Sequence, residues 1–207
     1  MMRILLVCSL LLAVAAPPAA AGDGVGINGI KLRLNTRRGS QQKLTYIGKG
    51  PSIPVPALNG MNDPRIAGVI FEIFTATGQR NTFDIRTGPY VDAYWRARDG
   101  KAAQYKYKNK LAPAGQSFVH KFLLKQNKVI LVSRTHELNL LDPQGAMFVR
   151  LSIGDQTLCS YFSSPIFDGI IPGRDSDATS FFSRTGTAPE NCLDSTIEQM
   201  LGIALAD

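Results

Sequence analysis

The amino-acid sequence predicts an all-β protein, an antiparallel β-sandwich of the immunoglobulin-like or jelly-roll-like kind with about 8–10 strands and a short C-terminal helix. Two observations carry this prediction. Short runs in which apolar and polar residues alternate recur along the chain, and clusters of turn-forming residues separate these runs. The runs do not alternate with helical patterns, so a parallel sheet is not indicated.

Residues 1–21 predict a secretory signal peptide. Arg3 precedes an unbroken apolar run over residues 4–16, and small residues follow at 19–21. The apolar run is shorter than the roughly 20 residues that a membrane-spanning helix needs. We therefore expect cleavage near Gly22, export to the periplasm or the extracellular space, and no membrane span.

The first strands follow the leader. Residues 30–34 and 43–47 alternate in character and form a first predicted hairpin. Residues 48–64 contain four prolines and therefore predict a surface loop. Residues 67–76 are the most apolar run after the leader and predict a central strand, and residues 82–86 alternate again.

Three further pairs of runs are each joined by a short turn and predict three more hairpins. The runs cover residues 94–98 and 103–108, 117–125 and 129–134, and 147–153 and 157–162. The turns are Asp99-Gly100, Gln126-Asn127 and Gly154-Asp155. These hairpins complete a predicted sandwich domain over residues 22–162.

The remaining residues, 163–207, predict a C-terminal loop and helix. Residues 163–189 are rich in Gly, Pro, Ser, Thr and Asp, which is typical of a loop. Ser195 and Glu198 have the spacing of a capping box. The apolar face of the helix would hold Ile197, Met200, Leu201 and Ala204.

The chain contains three cysteines, of which Cys8 lies in the predicted leader. Cys159 and Cys192 remain, and a disulfide between them is the default interpretation in an oxidising compartment. It would tie the C-terminal helix to the last strand of the sandwich and stabilise the fold by roughly 3 to 4 kcal/mol. Two buried free thiols are the alternative.

The charge balance is moderately basic, with 23 Lys and Arg against 16 Asp and Glu. Removal of Arg3 with the leader leaves 22 − 16 = +6. In an exported protein this excess favours a solvated surface, or attraction to anionic envelope polymers, over nucleic-acid binding. We expect envelope polysaccharide or another secreted protein as the partner, and no nucleic acid.

Gly24, Gly26 and Gly29 match the G-x-G-x-x-G fingerprint of dinucleotide-binding proteins. The match has no strand before it and is followed by a strand pattern where that fold requires a helix. We therefore interpret these glycines as a flexible mature N-terminus, and we expect no cofactor.

Neither of the two histidines, His120 and His136, has a second possible metal ligand at a suitable spacing in the sequence. We therefore expect no metal site. His120 would share a strand face with Phe118 and Phe122, which favours a core or edge histidine over a catalytic base. Val119 stands where a G-x-S-x-G nucleophile elbow around Ser117 would need glycine.

An enzyme with dispersed catalytic residues remains an alternative hypothesis. Its material would be His120 and His136 with Asp84 or Asp142. Asp168, Asp175 and Asp177 offer oxygen ligands for calcium, but the spacing of an EF-hand loop is missing, and a solvated turn is favoured.

The segment over residues 94–110 interleaves aromatic and basic side chains. This composition is typical of surfaces that stack on sugars and neutralise anions. The candidate ligand-binding residues are Tyr94, Trp95, Arg96 and Arg98. An ordinary strand, with Tyr105 and Tyr107 in the core and the intervening lysines in water, is the favoured alternative.

Dispersed residues along the chain carry a family resemblance. They include Asn62-Asp63-Pro64, Gly68, Trp95, the Cys159-x-x-Phe162 strand, and residues 181–189 before Cys192. In this order they resemble an uncharacterised secreted domain common in large-genome Gram-negative bacteria. The resemblance implies an extracellular all-β module with a paired C-terminal cysteine, and it brings no known activity. The helix after Cys192 departs from that pattern.

Three hypotheses for function follow. The first is an exported, non-catalytic β-sandwich with a structural or binding role. The second is a module that binds carbohydrate or an anionic polymer through an aromatic and basic surface. The third is the enzyme with dispersed residues.

Overall fold

The two sheets of the fold are seen in a computed structural model. It describes residues 23–35, 42–51, 53–85, 92–100, 103–109, 118–135, 143–170 and 179–205. The strands are β1 (Val25–Gly26), β2 (Asn28–Asn35), β3 (Gln42–Lys49), β4 (Val69–Thr75), β5 (Arg80–Ile85), β6 (Trp95–Arg98), β7 (Gln104–Lys108), β8 (Phe118–Lys125), β9 (Lys128–Thr135), β10 (Met147–Ile153), β11 (Gln156–Phe162), β12 (Phe167–Ile170) and β13 (Thr179–Ser183). The helices are α1 (Pro64–Ala67) and α2 (Asp194–Leu201).

The strands form a small sheet and a large sheet. The small sheet has the order β1-β11-β10-β4-β5, and the large sheet has the order β12-β13-β2-β3-β9-β8-β7-β6. Among the described strands every pairing is antiparallel except that of β1 with β11. The predicted all-β sandwich with a short C-terminal helix is therefore confirmed.

All four predicted hairpins are present. They are β2–β3, β6–β7, β8–β9 and β10–β11. Gly100 and Gly154 lie in two of the turns with φ angles of 79° and 57°, values that favour glycine. The apolar strand β4 lies between β10 and β5, inside the small sheet, as its composition predicts.

The core lies between the two sheets. Its largest members include Tyr46 from the large sheet and Phe71 and Phe162 from the small sheet, which are almost completely buried. The hydroxyl of Tyr46 lies 2.8 Å from Ser160 Oγ, and Ser160 Oγ donates to the carbonyl oxygen of Ile27 at 2.7 Å. Burial raises the pKa of Tyr46, so its hydroxyl stays neutral and joins the sheets by a hydrogen bond.

Two strands occupy the region for which the sequence predicts a loop. β13 pairs with β2, where Phe181 lies opposite Leu34 and is buried, and β12 pairs with β13. Ser180 donates through Oγ to the carbonyl oxygen of Leu34 at 3.0 Å, so a small polar residue is satisfied inside the sheet. The loop composition misleads here because a buried serine with a hydrogen-bond partner on the neighbouring strand is compatible with a strand.

Helix α2 begins one residue before the predicted capping box. Its N-cap is Leu193, which has no side-chain capping bond, and Asn191 Oδ1 instead accepts from the backbone N–H of Leu193 at 3.1 Å and from the Thr196 hydroxyl. Glu198 accepts from the backbone N–H of Leu205 at 2.8 Å, at the other end of the helix. The predicted capping box is therefore wrong, although the helix is real.

Helix α2 covers the outer face of the small sheet. Ile197 and Leu201 are buried there against Phe74 and Phe148. Ala204, which the sequence places on this face, lies beyond the helix and is exposed. Within the described part of the chain, no helix has the length and apolarity needed to cross a membrane.

Cys159 and Cys192 form the predicted disulfide, with their Cα atoms 5.7 Å apart. Cys159 belongs to β11, and Cys192 lies two residues before α2. The bond therefore holds the start of the helix against the small sheet.

The N-terminal glycines are closely packed, which corrects the sequence-based interpretation of a loose N-terminus. A Cβ atom on Gly26 would lie 1.9 Å from the carbonyl oxygen of Pro189, and one on Gly29 would lie 2.3 Å from Phe162 Cζ. Asp23 O accepts from the backbone N–H of Cys192 at 2.6 Å. The glycines of the fingerprint therefore serve close packing of the N-terminal strands on the C-terminal segment.

Candidate binding face

The outer face of the large sheet is strongly basic. The described strands of this sheet contain twelve basic residues and a single carboxylate, Asp168 in the edge strand β12, which lies opposite the buried Phe181 on the core side. The twelve are Lys31, Arg33, Lys43, Lys49, Arg96, Arg98, Lys106, Lys108, Lys121, Lys125, Lys128 and Arg134. We call this surface the basic face.

The alternation of each strand directs these cations outward. In β2, Leu32 and Leu34 are buried, while Lys31 is half-buried and Arg33 is exposed. The same alternation holds in β3, β6, β7, β8 and β9, where every one of the basic residues is half-buried or exposed. One side of the sheet thus faces the core and the other faces water.

The register of the large sheet places cations directly opposite one another. Five such pairs occur among the described residues. They are Lys43 with Arg134, Lys49 with Lys128, Lys125 with Lys128, Lys106 with Arg96, and Lys108 with Lys121. Like charges in directly opposed positions destabilise a sheet.

Carboxylates do not compensate these charges in the described part of the protein, where none of the twelve cations takes part in an ion pair. Asp168 instead accepts a hydrogen bond from the backbone N–H of Gly145 at 2.7 Å. The basic face therefore attracts anions from solution.

A depression of about 340 Å³ opens on the basic face at one end of β2, β3 and β9. It brings four cations together with amide and hydroxyl groups that can donate hydrogen bonds. Its lining residues are Lys31, Arg33, Asn35, Gln42, Lys43, Thr45 and Arg134. Such a set suits carboxylate, sulfate or hydroxyl groups.

His120 lies at the border of this face, in a β-bulge of β8. The pairing passes from Val119 with Ser133 to Lys121 with Val132, so His120 is an extra residue on its strand. Val119 and Phe122 are consequently both buried while His120 is half-buried. The prediction that His120 shares a face with Phe122 is therefore wrong.

The pKa of His120 lies below its ordinary value. Partial burial is the main cause, and the charge of Arg134 adds to it, with smaller contributions from Lys108 and Lys43. His120 thus senses the electrostatic potential of the basic face.

The residues of the enzyme hypothesis are not assembled into one site by the described structure. Asp84 belongs to β5 in the small sheet, while His136 and Asp142 lie outside the described residues. Asp175 and Asp177 lie outside them as well. In the described part, no group of three His, Cys, Asp or Glu side chains is placed to hold a metal ion.

The four aromatic and basic candidates are divided between the core and the surface. Trp95 is only 4 % exposed and packs on Tyr107 and Phe122, with ring centroids 5.1 and 6.0 Å apart. Tyr94 is half-buried, whereas Arg96 and Arg98 are exposed on the outer side of β6. The buried indole cannot stack on a ligand, which corrects the expectation of one aromatic and basic surface.

The favoured alternative for this segment is confirmed. Tyr105 and Tyr107 are buried, and the intervening Lys106 is exposed together with Lys108. Arg96 and Arg98 nevertheless belong to the basic face, so the basic half of the predicted surface is present without its tryptophan.

Two charged clusters elsewhere in the described residues are internally compensated. Glu72 is buried and accepts hydrogen bonds from Arg80 and Arg150, and Arg150 also pairs with Asp194 in a depression of about 560 Å³ beside the disulfide. The Glu72 carboxylate therefore has two cationic partners, in contrast to the cations of the basic face.

Asp63 is likewise satisfied. Burial opposes its ionisation, but hydrogen bonds from the Arg65 side chain and from the backbone of Arg65 and Asn59 outweigh this and lower its pKa. Its position at the N-cap of α1 gives it a structural role.

The fold and the face together define a two-sheet β-sandwich with one strongly basic sheet surface. Comparison with known proteins finds no matching family model, no matching curated protein and no matching solved structure. The resemblance to a secreted domain of Gram-negative bacteria stays a prediction.

Proposed function

We propose that this protein is an exported, non-catalytic β-sandwich that binds an acidic polysaccharide of the cell envelope through the basic face. One observation carries the proposal: the outer face of the large sheet holds twelve cations, nine of which form five directly opposed pairs, while the single carboxylate of its described strands, Asp168, lies on the core side. Like charges in directly opposed positions destabilise the folded state. A bound polyanion would neutralise these charges.

Protection of an edge strand is an insufficient explanation for these charges. Basic residues on an edge strand do prevent edge-to-edge aggregation, and Arg96 and Arg98 on β6 fit that role. Lys49, Lys128 and Lys125, however, lie on β3, β9 and β8 in the interior of the sheet. Their alignment there is better explained by a ligand.

A nucleic-acid ligand is less well supported. Proteins that bind single strands combine cations with exposed aromatic rings on which bases stack. Among the described side chains of the large sheet, the aromatic rings are buried, except for half-buried Phe167 and Phe182. Lys31 and Arg184 lie over the ring of Phe182, at 5.9 and 5.3 Å from its centroid.

A membrane surface is also less well supported. Binding in the membrane interface needs apolar side chains that reach below the headgroups. The aliphatic residues at the centre of the basic face, among them Ile47 and Ile130, are only half-exposed between longer lysines.

The predicted leader would deliver the protein to the envelope, where acidic polysaccharides occur.

The experiment is a titration of the protein, produced from its complete chain with the disulfide intact, with polygalacturonate and with neutral dextran. We expect saturable binding of polygalacturonate that weakens as salt rises from about 50 to about 200 mM, because counterions are released on binding. Dextran should not bind.

A matched pair of variants tests the location. Arg33→Gln on the basic face and Arg80→Gln on the small sheet each remove one exposed arginine charge. We expect Arg33→Gln to weaken binding about fivefold, as about 1 kcal/mol per cation near an anionic surface implies, and Arg80→Gln to change it less than about twofold. The same titration is made with single-stranded DNA and with anionic vesicles. The proposal is overturned if polygalacturonate does not bind, if the two variants weaken binding equally, or if only DNA or vesicles bind.

A further inference from the structure

The centre of the basic face is apolar. Ile47, Ile130 and Leu123 are direct cross-strand neighbours on β3, β9 and β8, and they alternate with buried core residues, so their side chains are on the outer face. All three are half-buried. A sheet with one solvated face ordinarily presents polar residues at such positions. We call these three residues the aliphatic row.

A row of lysines runs parallel to the aliphatic row. Lys49, Lys128 and Lys125 each lie two residues from a member of the aliphatic row on the same strand, and they are also cross-strand neighbours. We call them the lysine row. Strand geometry separates the two rows by about 6.7 Å and separates residues within a row by about 4.8 Å.

Cations also close both ends of the aliphatic row. Lys31 on β2 is the cross-strand neighbour of Ile47, and Lys106 on β7 is that of Leu123. Arg96 on β6 follows Lys106. From β2 to β6 the line of residues spans about 24 Å, the length of several sugar units.

This arrangement suits a particular chemistry. A pyranose ring of a uronic acid has an apolar face of C–H groups, and it carries its carboxylate at the edge of the ring. Contact between the apolar face and aliphatic side chains removes both from water. The carboxylate at the edge of the ring would then point toward a cation in the neighbouring row, about 6.7 Å away.

We infer that the polysaccharide runs across the strands, along the aliphatic row, with its ring faces on Ile47, Ile130 and Leu123 and its carboxylates toward the lysine row. The ligand is then a uronic-acid polymer and not a polyanion that lacks an apolar surface. This inference rests on the proposed function, since it specifies the ligand of the same face.

The direction across the strands follows from the positions of the charges. A polymer running along β9 would meet Lys128, Ile130, Val132 and Arg134 in turn, with cations only at the two ends. A polymer that crosses the strands meets one lysine of the lysine row on each of three adjacent strands. The crossing direction therefore neutralises more charge for each length of polymer.

The test compares polygalacturonate with polyphosphate, which is anionic but has no apolar ring face. Ile130→Thr and Leu123→Thr shorten members of the aliphatic row, and Val132→Thr is the matched control, an outward half-buried aliphatic residue on β9 outside the row. We expect Ile130→Thr and Leu123→Thr to weaken polygalacturonate binding about fourfold and to leave polyphosphate binding unchanged. Val132→Thr should change neither.

The outcomes separate this inference from the proposed function. If the wild-type protein binds polygalacturonate and the two row variants bind it as Val132→Thr does, the inferred path is wrong and the proposed function stands. If the row variants weaken both polymers equally, the apolar contact is also refuted. If polygalacturonate does not bind the wild-type protein, the proposed function itself fails. Unfolding midpoints of all variants verify that each is folded.

Discussion

His120 links the chemistry of a single residue to the charge of the basic face. Its pKa is lowered by partial burial and by the nearby charge of Arg134. Removal of this charge would stabilise the imidazolium form. We therefore predict that Arg134→Gln raises the pKa of His120 toward its ordinary value of about 6.5. Polygalacturonate on the aliphatic row, about 13 Å from Arg134 along β9, should raise it much less.

The measurement is an NMR titration of the imidazole in a His136→Gln background, which leaves His120 as the single histidine of the chain. An unchanged pKa in the Arg134→Gln variant would show that His120 does not sense the basic face. The depressed pKa of His120 also affects the stability of the free protein. As the pH falls below about 6.5, the unfolded state binds the proton before the folded state does, so the free energy of unfolding decreases.

Gly26 supports a second prediction at this scale. A Cβ atom there would lie 1.9 Å from the backbone oxygen of Pro189, which cannot move aside as a flexible side chain would. Gly26→Ala should therefore destabilise the fold by about 1–3 kcal/mol or more, as overpacking does. Gly60→Ala, whose nearest contact would be 3.3 Å away, is the control. Urea unfolding measures both, and equal midpoints would contradict the packing argument.

The same glycines show what sequence reasoning misses at the residue scale. The sequence predicts a strand after these glycines where the dinucleotide-binding fold needs a helix, and strand β2 lies there. The sequence does not show that Gly24 packs on Cys192 and Gly26 on Pro189, since these contacts join residues that are far apart in the sequence. Trp95 illustrates the same limit. The aromatic and basic residues around it in the sequence do not reveal on which side of β6 the indole lies.

Helix α2 depends on the disulfide more than on its own sequence. It has eight residues and no side-chain N-cap, and it is held by Cys192 and by the burial of Ile197 and Leu201. Isolated helices of this length are unstable in water. Because the cysteines are 33 residues apart, reduction of the disulfide should lower the free energy of unfolding by about 3 to 4 kcal/mol. Helix α2 should be released first.

Hydrogen exchange after reduction measures this prediction. We expect amides of α2 and of residues 23–26 to lose protection, because Asp23 is hydrogen-bonded to Cys192, while the β3–β9 pairing keeps its protection. A Cys159→Ser, Cys192→Ser double variant should behave as the reduced protein does. Uniform loss of protection in both sheets would show that α2 and the sandwich unfold together.

At the scale of elements, the sequence predicts most of the sandwich. Hairpins are local, and alternation with a turn such as Asp99-Gly100 suffices to identify them. The sequence does not predict β12 and β13, because the pairing of β13 with β2 is distant in sequence and both strands lack a clear alternation. The basic residues of β3, β8 and β9 are visible in the sequence, but the alignment of Lys49 with Lys128 and Lys125 requires the register of three strands.

The two sheets differ in how their charges are balanced. The described strands of the large sheet hold twelve cations and one carboxylate. Those of the small sheet hold Arg80 and Arg150 together with Glu72 and Asp84. Among the described strands, the excess positive charge therefore lies on the large sheet, where mutual repulsion opposes folding.

This asymmetry predicts an unusual response to salt. Screening shortens from about 30 Å at 0.01 M salt to about 10 Å at 0.1 M, so added salt weakens the repulsion on the basic face. The unfolding midpoint should therefore rise with NaCl over this range. Lys128→Gln, which removes the lysine opposed by both Lys49 and Lys125, should stabilise the protein by about 0.5 kcal/mol at low salt and by less as salt increases.

Arg80→Gln provides the opposite control, because it removes an ion pair with Glu72 and should destabilise the protein at low salt. Thermal unfolding of the three proteins at several NaCl concentrations measures these effects. A falling midpoint in wild type, or a destabilised Lys128→Gln at low salt, would mean that the opposed lysines are not repulsive. If Lys128→Gln is more stable and also binds polygalacturonate more weakly, the lysine row lowers stability in the free protein and contributes to ligand binding, which is the relation expected of a functional site.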